Sequence, residues 1–269
     1  MNRGNISHFF RNLGLLYAAD FIRFQVHRIK HRKINQDFRQ HNPSIKMPPD
    51  YLLYESFALN YPAYYYGGRE SAKDLFNHFS KYKSRHNLNI LDWGCGPGRI
   101  IRHMPELFDD SCTYYGTDYN SKSIKWCAAN IPGIYFSHNA LSPPLNYAND
   151  QFDIIYGISI FTHLSEEMHF AWINELFRII KKDGIILLTT AGSAFKSLFT
   201  QSEKTRFENG NIIIRDKVRE GHRTFTAFHP VGFIQRLFSN FEILEHIERD
   251  PVDNKLPQDI WIVRRRNSV

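Results

Sequence analysis

Three glycines stand within five positions of the stretch NILDWGCGPGRI, residues 89–100, directly after a short apolar run that ends in an acid. A glycine-rich turn after a strand lets a ligand approach the backbone without a Cβ in the way, and it tolerates positive φ. Gly94, Gly96 and Gly98 depart from the dinucleotide pattern GxGxxG, because the third glycine comes one residue early. Asp92, two residues before the first glycine, would repel a pyrophosphate and attract a cation. The loop therefore predicts a site for a nucleoside that carries positive charge.

A second acid lies where such a nucleoside needs one. Asp118 ends the strand-like run TYYGTD, twenty residues after Gly98, and a carboxylate there can accept hydrogen bonds from both ribose hydroxyls. Tyr119 beside it would give adenine a flat face, and the side-chain oxygen of Asn139 can accept a hydrogen bond from the adenine amino group. Each residue alone has an ordinary explanation as a turn, cap or loop residue. Together, at the ends of successive predicted strands, they indicate a nucleoside pocket.

Strand-like and helix-like runs alternate from residue 89 onward, which predicts a mostly parallel sheet with helices on either side. Two further runs near the C-terminus, FEILEHIERD and DIWIVRRR, are joined by a short connection and predict an antiparallel pair at the sheet edge. Asn120 or Ser121 and Ser165 are the candidate caps of the last two helices. The other predicted strands are NILDW, TYYGTDY, IYFSHNA, FDIIYGISI and IILLTT, and the predicted helices are RIIRHMPELF, NSKSIKWCAANI and SEEMHFAWINELFRIIKK, the last with a stop at KKDG.

These motifs resemble those of class I S-adenosylmethionine-dependent methyltransferases, well over residues 65–192 and more weakly over residues 225–265. ILDWGCGPGR is similar to the family's first motif, which holds the methionyl end of the cofactor, and YGTDYN is similar to its second, which implies the ribose contact for Asp118. FDIIYGISIFTHL and RIIKKDGIILLTTAG resemble its fourth and fifth strands. The family commonly has Asp after the third strand, where this chain has Asn139.

The resemblance implies an α/β fold, a Rossmann-like and mostly parallel seven-stranded sheet with an antiparallel edge strand and helices on both faces, plus an N-terminal helical extension. It also implies S-adenosyl-L-methionine as the cofactor. The runs FTHL and QDIWIVRR resemble bacterial members that modify sugars or small metabolites, so a small-molecule or glycan acceptor is expected. The expected cofactor contacts are Asp92, Gly94, Cys95, Gly96, Gly98, Asp118, Tyr119, Asn139, Ala140 and Ser159.

Methyl transfer from a sulfonium is an in-line displacement, so the protein mainly orients the reactants and excludes water. A hydroxyl acceptor would gain roughly 10²–10⁴-fold from a base that takes its proton. Residues just past the fourth strand are expected to face the transferred methyl, and among Ser159, Phe161, Thr162 and His163 the histidine is the candidate base. The ordinary alternative is a histidine at a helix entrance that bonds the local backbone. His229 is a second candidate, for which a capping role is favoured.

The basic character of the chain comes from one segment. Residues 1–48 contain nine Lys or Arg against two acids, a net charge of +7, so residues 49–269 are neutral with 25 residues of each sign. Because the larger part has no surplus of positive charge, nucleic acid is not an expected partner. The sequence predicts a basic helical extension over residues 1–48 and a methyltransferase domain over residues 49–269, with the proline-containing run NPSIKMPPDY between them.

Residues 6–34 of the extension are expected to form a helix. This helix either packs on the main domain with a solvated basic end, or it forms an amphipathic arm that contacts an anionic membrane surface or a protein partner. A degenerate cofactor-binding module recruited through this arm is the non-enzymatic alternative, and an NAD-dependent oxidoreductase is an enzymatic one that the glycine spacing disfavours. The residues that recur on one helical face are Phe10, Leu13, Tyr17, Phe21 and Phe24.

The bulk properties are those of a globular chain, with 42% hydrophobic residues in 269. No apolar run approaches the ~20 residues of a membrane-spanning helix, and the N-terminus lacks the features of a signal peptide, so a cytoplasmic location is expected. Cys95, Cys112 and Cys127 are odd in number and lack CxxC spacing or paired histidines, which favours reduced, buried thiols over disulfides or zinc. No divalent metal site is expected.

The aromatic-rich run YESFALNYPAYYYGGRE, residues 54–70, allows two interpretations. It folds over the cofactor as a lid with Gly67 and Gly68 as the hinge and Tyr66 or Arg69 near the cofactor carboxylate, or it is a packed connector. Residues 195–225 carry no interpretable signature.

Overall fold

The computed structural model describes residues 16–216, 218–251 and 255–266. Its contacts divide the chain into two compact units, the first of residues 17–140 and the second from residue 141 onward. No helix among the described residues is long and apolar enough to cross a membrane.

Four helices open the first unit and share one apolar cluster. They are α1 (Leu16–Lys30), α2 (Arg32–His41), α3 (Asp50–Ser56) and α4 (Tyr61–Phe79). Phe24 of α1 and Phe38 of α2 are both buried there, so α1 and α2 are packed against α3, α4 and the turn between them. The cluster consists of Phe24, Phe38, Leu53, Tyr54, Leu59, Tyr61 and Tyr64.

The predicted N-terminal helix is partly confirmed. It covers residues 16–30, breaks at His31 and continues as α2 to His41, past the predicted end at residue 34. The continuation is stabilised because Phe38 is buried and the Asn35 side chain accepts a hydrogen bond from the backbone N–H of Tyr61. Of the predicted apolar face, Phe24 is buried but Phe21 is 56% exposed. Phe10, Leu13 and the side chain of Tyr17 lie outside the described residues.

The run of aromatics at residues 61–70 belongs to one continuous helix, so the hinge interpretation is wrong. Asn60 caps α4 by accepting a hydrogen bond from Ala63 N–H at 3.0 Å. Gly68 lies within α4 and packs against the residue that follows the glycine loop, since a Cβ on Gly68 would come 2.3 Å from the carbonyl oxygen of Arg99. This glycine therefore serves close packing rather than bending. Arg69 forms an ion pair with Glu106 at 3.2 Å on the surface.

Three parallel strands complete the first unit: β1 (Asn89–Trp93), β2 (Thr113–Asp118) and β3 (Ile134–His138). β2 pairs with both of the others, and its register sets Asp92 opposite Gly116 and Asp118 opposite His138. The acid of the glycine motif and the second acid therefore stand near the same ends of neighbouring strands, as the sequence predicts.

The connections after β1 and β2 differ in how well the sequence predicts them. α5 (Ser121–Asn130) follows β2, and the Asn120 side chain caps it by accepting hydrogen bonds from the N–H groups of residues 122 and 123. The helix predicted after β1 is instead a 3₁₀ helix, Ile101–Glu106. Pro105 has no N–H to complete an α-helical hydrogen bond, which favours the tighter turn.

The second unit contains β4 (Phe152–Gly157), α6 (Glu166–Ile179) and β5 (Ile180–Thr190). Ser165 caps α6 as predicted, with its hydroxyl accepting from Met168 N–H at 3.4 Å. The predicted helix stop at KKDG is wrong, because α6 ends at Ile179 and those residues belong to β5. Ile180 is fully buried and pairs with Phe152, so strand pairing overrides the helical pattern.

The rest of the second unit consists of α7 (Gln201–Glu208), β6 (Ile213–Arg215), β7 (Thr226–Phe228), α8 (Val231–Leu237), β8 (Phe241–Ile247) and β9 (Asp259–Arg265). β6 and β7 form a small antiparallel sheet. β9 runs antiparallel to β5 and to β8, which confirms the predicted C-terminal pair.

The main sheet has seven strands in the order β3-β2-β1-β4-β5-β9-β8. The strand order reverses direction after β3, when the chain returns past β1 to β4, which is the arrangement of a doubly wound sheet. The predicted fold class, a Rossmann-like and mostly parallel seven-stranded sheet with an antiparallel edge strand, is confirmed. The antiparallel strand is β9, which lies between β5 and the outermost strand β8.

Candidate functional site

The glycine loop is fixed to the end of β2 by its own backbone. The N–H groups of Gly94 and Cys95 both donate to the carbonyl oxygen of Thr117, at 2.8 and 3.0 Å. Gly94, Gly96 and Gly98 all have positive φ, at 76°, 52° and 75°. Side chains rarely adopt this backbone conformation, which explains why glycine occupies all three positions.

Two of these glycines also have close neighbours. A Cβ on Gly98 would lie 2.6 Å from the Ile131 Cδ1 atom, and one on Gly96 would lie 3.4 Å from the Ser56 Cβ atom. The loop therefore sits against the end of α3 on one side and the residue after α5 on the other. Tyr64, which is fully buried in α4, donates a hydrogen bond from its hydroxyl to the carbonyl oxygen of Pro97 at 3.0 Å. Together these contacts hold the loop in one conformation.

The Asp118 carboxylate connects the loop to the end of β2. One oxygen accepts from Gly96 N–H at 2.8 Å and the other from Asn120 N–H at 2.7 Å. Burial raises the pKa of the Asp118 carboxyl, while the two backbone donors and the nearby His138 oppose the rise. Because each carboxylate oxygen can accept a further hydrogen bond, this side chain can still receive the two hydroxyls of a ribose.

Two buried side chains, those of Asp92 and Cys95, determine the charge at the glycine loop. Asp92, the next-to-last residue of β1, is buried, with 4% of its surface exposed. Burial raises the pKa of the Cys95 thiol well above its ordinary value, and the charges of Asp92 and Asp118 raise it further. The thiol is therefore kept neutral, which suits packing and excludes a thiolate nucleophile at this position.

Tyr119, Asn139 and Ala140 follow the strands as predicted, but the amide of Asn139 is already engaged. Its oxygen accepts from the Thr117 hydroxyl at 2.7 Å, and its nitrogen donates to the carbonyl oxygen of Ala140 at 2.6 Å. The amide oxygen keeps one lone pair for a further donor. Tyr119 is 40% exposed, and Ala140 is also exposed, so both are accessible to a ligand.

Sequence reasoning missed the contribution of α3 to this region. Besides Ser56 beside Gly96, Glu55 accepts a hydrogen bond from the Asn120 side chain at 3.4 Å. The guanidinium of Arg99 lies 4.7 Å from the centre of the Phe57 ring, a cation–π distance. The aromatic-rich composition of residues 54–70 is the signal that could have pointed here, although it does not indicate which side chains reach the loop.

In the second unit, Ser159 belongs to a closed polar network. It has positive φ (68°), and its N–H donates to the Thr189 hydroxyl at 2.8 Å. Gln258 donates from its side-chain nitrogen to the Ser159 hydroxyl and accepts from the Thr189 hydroxyl, both at 2.6 Å. The Thr162 hydroxyl donates to the Ser159 carbonyl oxygen at 2.6 Å. Gln258, which comes directly before β9, was not predicted, because its partners lie far away in sequence.

His163 ends a short 3₁₀ helix, Phe161–His163, after β4. Its Nδ1 lies 2.8 Å from the carbonyl oxygen of Phe225, which can only accept, so Nδ1 carries the proton. In the neutral ring Nε2 then holds the lone pair that a base needs. Burial lowers the pKa of His163, the Phe225 carbonyl opposes this change, and Arg223 reinforces it. The ring is therefore oriented by Phe225, the residue directly before β7, and not by the local backbone.

His229 is placed in the core. Its Nδ1 accepts from Ala191 N–H at 3.2 Å, so its Nε2 carries the proton and donates to Nε2 of His169 at 2.8 Å. His169 in turn donates from Nδ1 to the Ser165 carbonyl oxygen at 2.7 Å. Burial lowers the pKa of His169 to about 4 and that of His229 well below its ordinary value. The predicted capping role is wrong, because the N-cap residue of α8 is Pro230 and no side chain caps this helix; His229 instead belongs to a buried histidine pair.

Residues 90–184 match a family model described as "Methyltransferase domain". A crystal structure of an S-adenosylmethionine-dependent methyltransferase from Methanosarcina mazei has the same fold, with a TM-score of 0.55 at 19% identity over 71% of this chain and 98% of that chain. Residues 90–184 form a methyltransferase domain.

Two curated relatives match part of this chain. The ubiquinone biosynthesis O-methyltransferase of Pelagibacter ubique is 28% identical over 120 residues, 44% of this chain and 48% of that protein. The cyclopropane-fatty-acyl-phospholipid synthase of Escherichia coli K12 is 27% identical over 113 residues, 42% of this chain and 28% of that protein. The chain thus spans less than half the length of the curated relatives it matches.

The residues of the first unit fit the cofactor of this methyltransferase family. S-adenosylmethionine is a nucleoside with a sulfonium cation, and the loop combines three glycines at positive φ with a buried carboxylate, Asp92, before them. Asp118 stands at the end of the next strand with hydrogen-bonding capacity to spare. The described residues include no group of three or more His, Cys, Asp or Glu side chains that could hold a metal ion.

Proposed function

We propose that the protein transfers a methyl group from S-adenosylmethionine by direct displacement to the oxygen of a small-molecule or glycan acceptor. The observation that carries this proposal is the glycine loop, whose N–H groups are hydrogen-bonded to Thr117 and Asp118 at the end of β2, in a chain whose residues 90–184 match a methyltransferase domain. When bound, S-adenosylmethionine supplies an electrophilic methyl group.

In this proposal the residues around the glycine loop bind and orient the cofactor. Asp118 accepts the ribose hydroxyls, Asp92 offsets the positive charge, and Asn139 and Tyr119 contact the adenine. The loop needs no rearrangement to do so, since its backbone hydrogen bonds to Thr117 are already formed. A binding site that is ordered beforehand loses less conformational entropy when the ligand binds.

His163 is the proposed general base. The hydrogen bond to Phe225 fixes the tautomer that leaves Nε2 unprotonated, and the lowered pKa keeps the ring neutral at pH 7. A neutral imidazole can take the proton of an acceptor hydroxyl as the new bond to carbon forms. Ser159, which is hydrogen-bonded to Gln258 and Thr189 in the same unit, is a further proposed cofactor contact.

Two observations support oxygen as the atom that accepts the methyl group. One curated relative is named as an O-methyltransferase. The second is His163 itself, because a hydroxyl needs a base more than an amine with a free lone pair does. The other curated relative is named as an enzyme of fatty-acyl phospholipids, so a lipid acceptor belongs in the acceptor screen together with sugars and phenols.

The three described cysteines, Cys95, Cys112 and Cys127, are free and buried. Free thiols are typical of a reducing compartment, which supports the proposed cytoplasmic location of the reaction.

The test is a methyl-transfer assay with labelled S-adenosylmethionine and hydroxyl-bearing acceptors. We expect His163→Gln to lower kcat roughly 10²–10⁴-fold while S-adenosylhomocysteine still binds. His86→Gln is the matched control, since His86 is exposed and pairs with Asp109 on the surface. Wild-type kcat should fall on the acid side as His163 becomes protonated, and because burial lowers the pKa of His163, the fall should come at a lower pH than for an exposed histidine.

Two outcomes would contradict parts of this proposal. Turnover of His163→Gln at the wild-type rate would show that His163 is not the general base. Transfer to nitrogen or carbon alone, with no O-methylated product, would remove the assignment to oxygen.

A further inference from the structure

The outward face of α1 is apolar. Ile22, Val26 and Ile29 are 63%, 55% and 77% exposed, and their spacing of four and three residues places them on one side of the helix. Large aliphatic side chains in a continuous row on a protein surface mark a contact with something else.

The opposite face of α1 accounts for the packing of this helix. Phe24 is buried, with its ring 5.3 Å from that of Tyr51 and 5.4 Å from that of Tyr54. Asp20 accepts a hydrogen bond from the Tyr54 hydroxyl at 2.8 Å. The helix is therefore positioned by residues 20 and 24, and the exposed row is not needed to hold it in place.

Positive charge flanks this row on both sides. At about 100° per residue, Arg23 and Lys30 lie to one side of it, and Arg28 lies to the other. Arg32 and Lys33 follow directly at the start of α2, and all five side chains are exposed. Arg28 also approaches Asp50 at 3.8 Å, whereas the other four form no ion pair with the described residues.

We propose that this face of α1 binds the surface of an anionic phospholipid bilayer. A row of aliphatic side chains between lysines and arginines is the arrangement of a helix that lies in the membrane interface, with its apolar side among the acyl chains and its cations at the headgroups. Nucleic acid is a less suitable partner, because its phosphates would contact only the lysines and arginines and would leave the isoleucines exposed to water. The inference stands on α1 and the start of α2, and it does not depend on methyl transfer.

A single short helix gives weak, reversible binding, and both parts of the surface are needed. Each basic residue near an anionic surface contributes roughly a fivefold gain in partitioning, and the attraction is screened by salt. Each buried aliphatic side chain contributes by a similar factor or more.

The test is flotation of the full chain with phosphatidylcholine vesicles, with and without phosphatidylglycerol. We expect the wild type to bind the vesicles that contain phosphatidylglycerol and to be released at high salt. Ile22→Ser/Ile29→Ser and Arg23→Gln/Lys30→Gln should each lower the bound fraction roughly tenfold or more. Tyr135→Ser is the matched control, because it removes a side chain that is 66% exposed on β3, and it should bind as the wild type does.

Circular dichroism and binding of S-adenosylhomocysteine establish that each variant is folded. A loss of flotation in a folded variant then means that the substituted side chains contact the vesicle. The proposal is overturned if the wild type does not float with phosphatidylglycerol vesicles, or if the Ile22→Ser/Ile29→Ser variant floats equally well. It is also overturned if light scattering shows a dimer that this variant dissociates while vesicles remain unbound, because the row would then join two copies of the chain.

Discussion

The glycine loop of the first unit and the surroundings of His163 in the second are built in different ways. The loop is formed by consecutive residues, and its hydrogen bonds go to Thr117 and Asp118 at the end of the adjacent strand. His163 is oriented by Phe225, and Ser159 is held by Gln258, partners that lie 62 and 99 residues away in sequence. The proposed cofactor contacts are thus encoded in short local patterns, whereas the candidate acceptor residues depend on the assembly of the whole second unit.

The largest expected effect concerns the connection of the loop to β2. Asp118→Ala removes the acceptor of Gly96 N–H and Asn120 N–H together with the proposed ribose contact. We expect the affinity for S-adenosylhomocysteine to fall roughly tenfold to a hundredfold, because hydrogen bonds to a charged group are the stronger ones. Isothermal titration calorimetry measures this change.

Asp110→Ala is the control for that variant, since Asp110 is exposed on the segment before β2. An unchanged affinity in Asp118→Ala would show that the carboxylate is only a structural support of the loop.

The same difference explains what the sequence could predict. Asp92, the three glycines and Asp118 were recognisable because residue type and spacing alone determine a strand, a turn and a second strand. The hydrogen bond from His163 to Phe225 and the role of Gln258 could not be predicted, because no local pattern encodes a contact between residues so far apart. Residues 195–225 gave no signal, since α7 and β6 are short and are stabilised by packing of side chains such as Phe207 and Ile213.

Local rules also failed where tertiary contacts compete with them. The end of α6 was predicted too late because KKDG resembles a helix terminus, whereas Ile180 is buried in a strand pair with β4. The glycines at residues 67 and 68 resemble a hinge, but the close approach of Arg99 to Gly68 makes them part of a packed helix.

A pair of glycine variants separates backbone strain from crowding in the loop. Gly98 and Gly133 have nearly the same φ, 75° and 76°, but a Cβ on Gly98 meets Ile131 at 2.6 Å while one on Gly133 meets nothing within 4 Å. We expect Gly133→Ala to lower the free energy of unfolding by about 1 kcal/mol and Gly98→Ala by about 1–3 kcal/mol more. Urea denaturation measures both. Equal losses would mean that the loop is not held against α5 as described.

The buried histidine pair predicts a pH dependence of stability in the second unit. Both pKa values are lowered on folding, that of His169 to about 4, so the stability is fully present above the unfolded pKa of about 6.5 and is lost as the pH falls below it, by at most about 1.4 kcal/mol per pH unit for each histidine. Denaturation between neutral and mildly acidic pH tests the slope. Nitrogen chemical shifts should show His169 protonated on Nδ1 and His229 on Nε2, and a charged ring at neutral pH would contradict the arrangement.

The smallest effect concerns α4. Nothing lies within 4 Å of a Cβ on Gly67, so Gly67→Ala should raise the free energy of unfolding by roughly 0.5–1 kcal/mol, as alanine does inside a helix. Gly68→Ala is the matched variant, and it should destabilise the protein because of the contact with Arg99. A loss of turnover in Gly67→Ala, with stability raised, would restore the hinge.

Calorimetric binding of S-adenosylhomocysteine to the full chain, with NAD as the competing ligand, tests the central claim most directly. The glycine spacing, the acid at residue 92 and the acid at residue 118 predict a dissociation constant of about micromolar for S-adenosylhomocysteine and no measurable binding of NAD. Binding of NAD in its place, or of neither nucleoside by the folded protein, would contradict the assignment of the loop as a cofactor site.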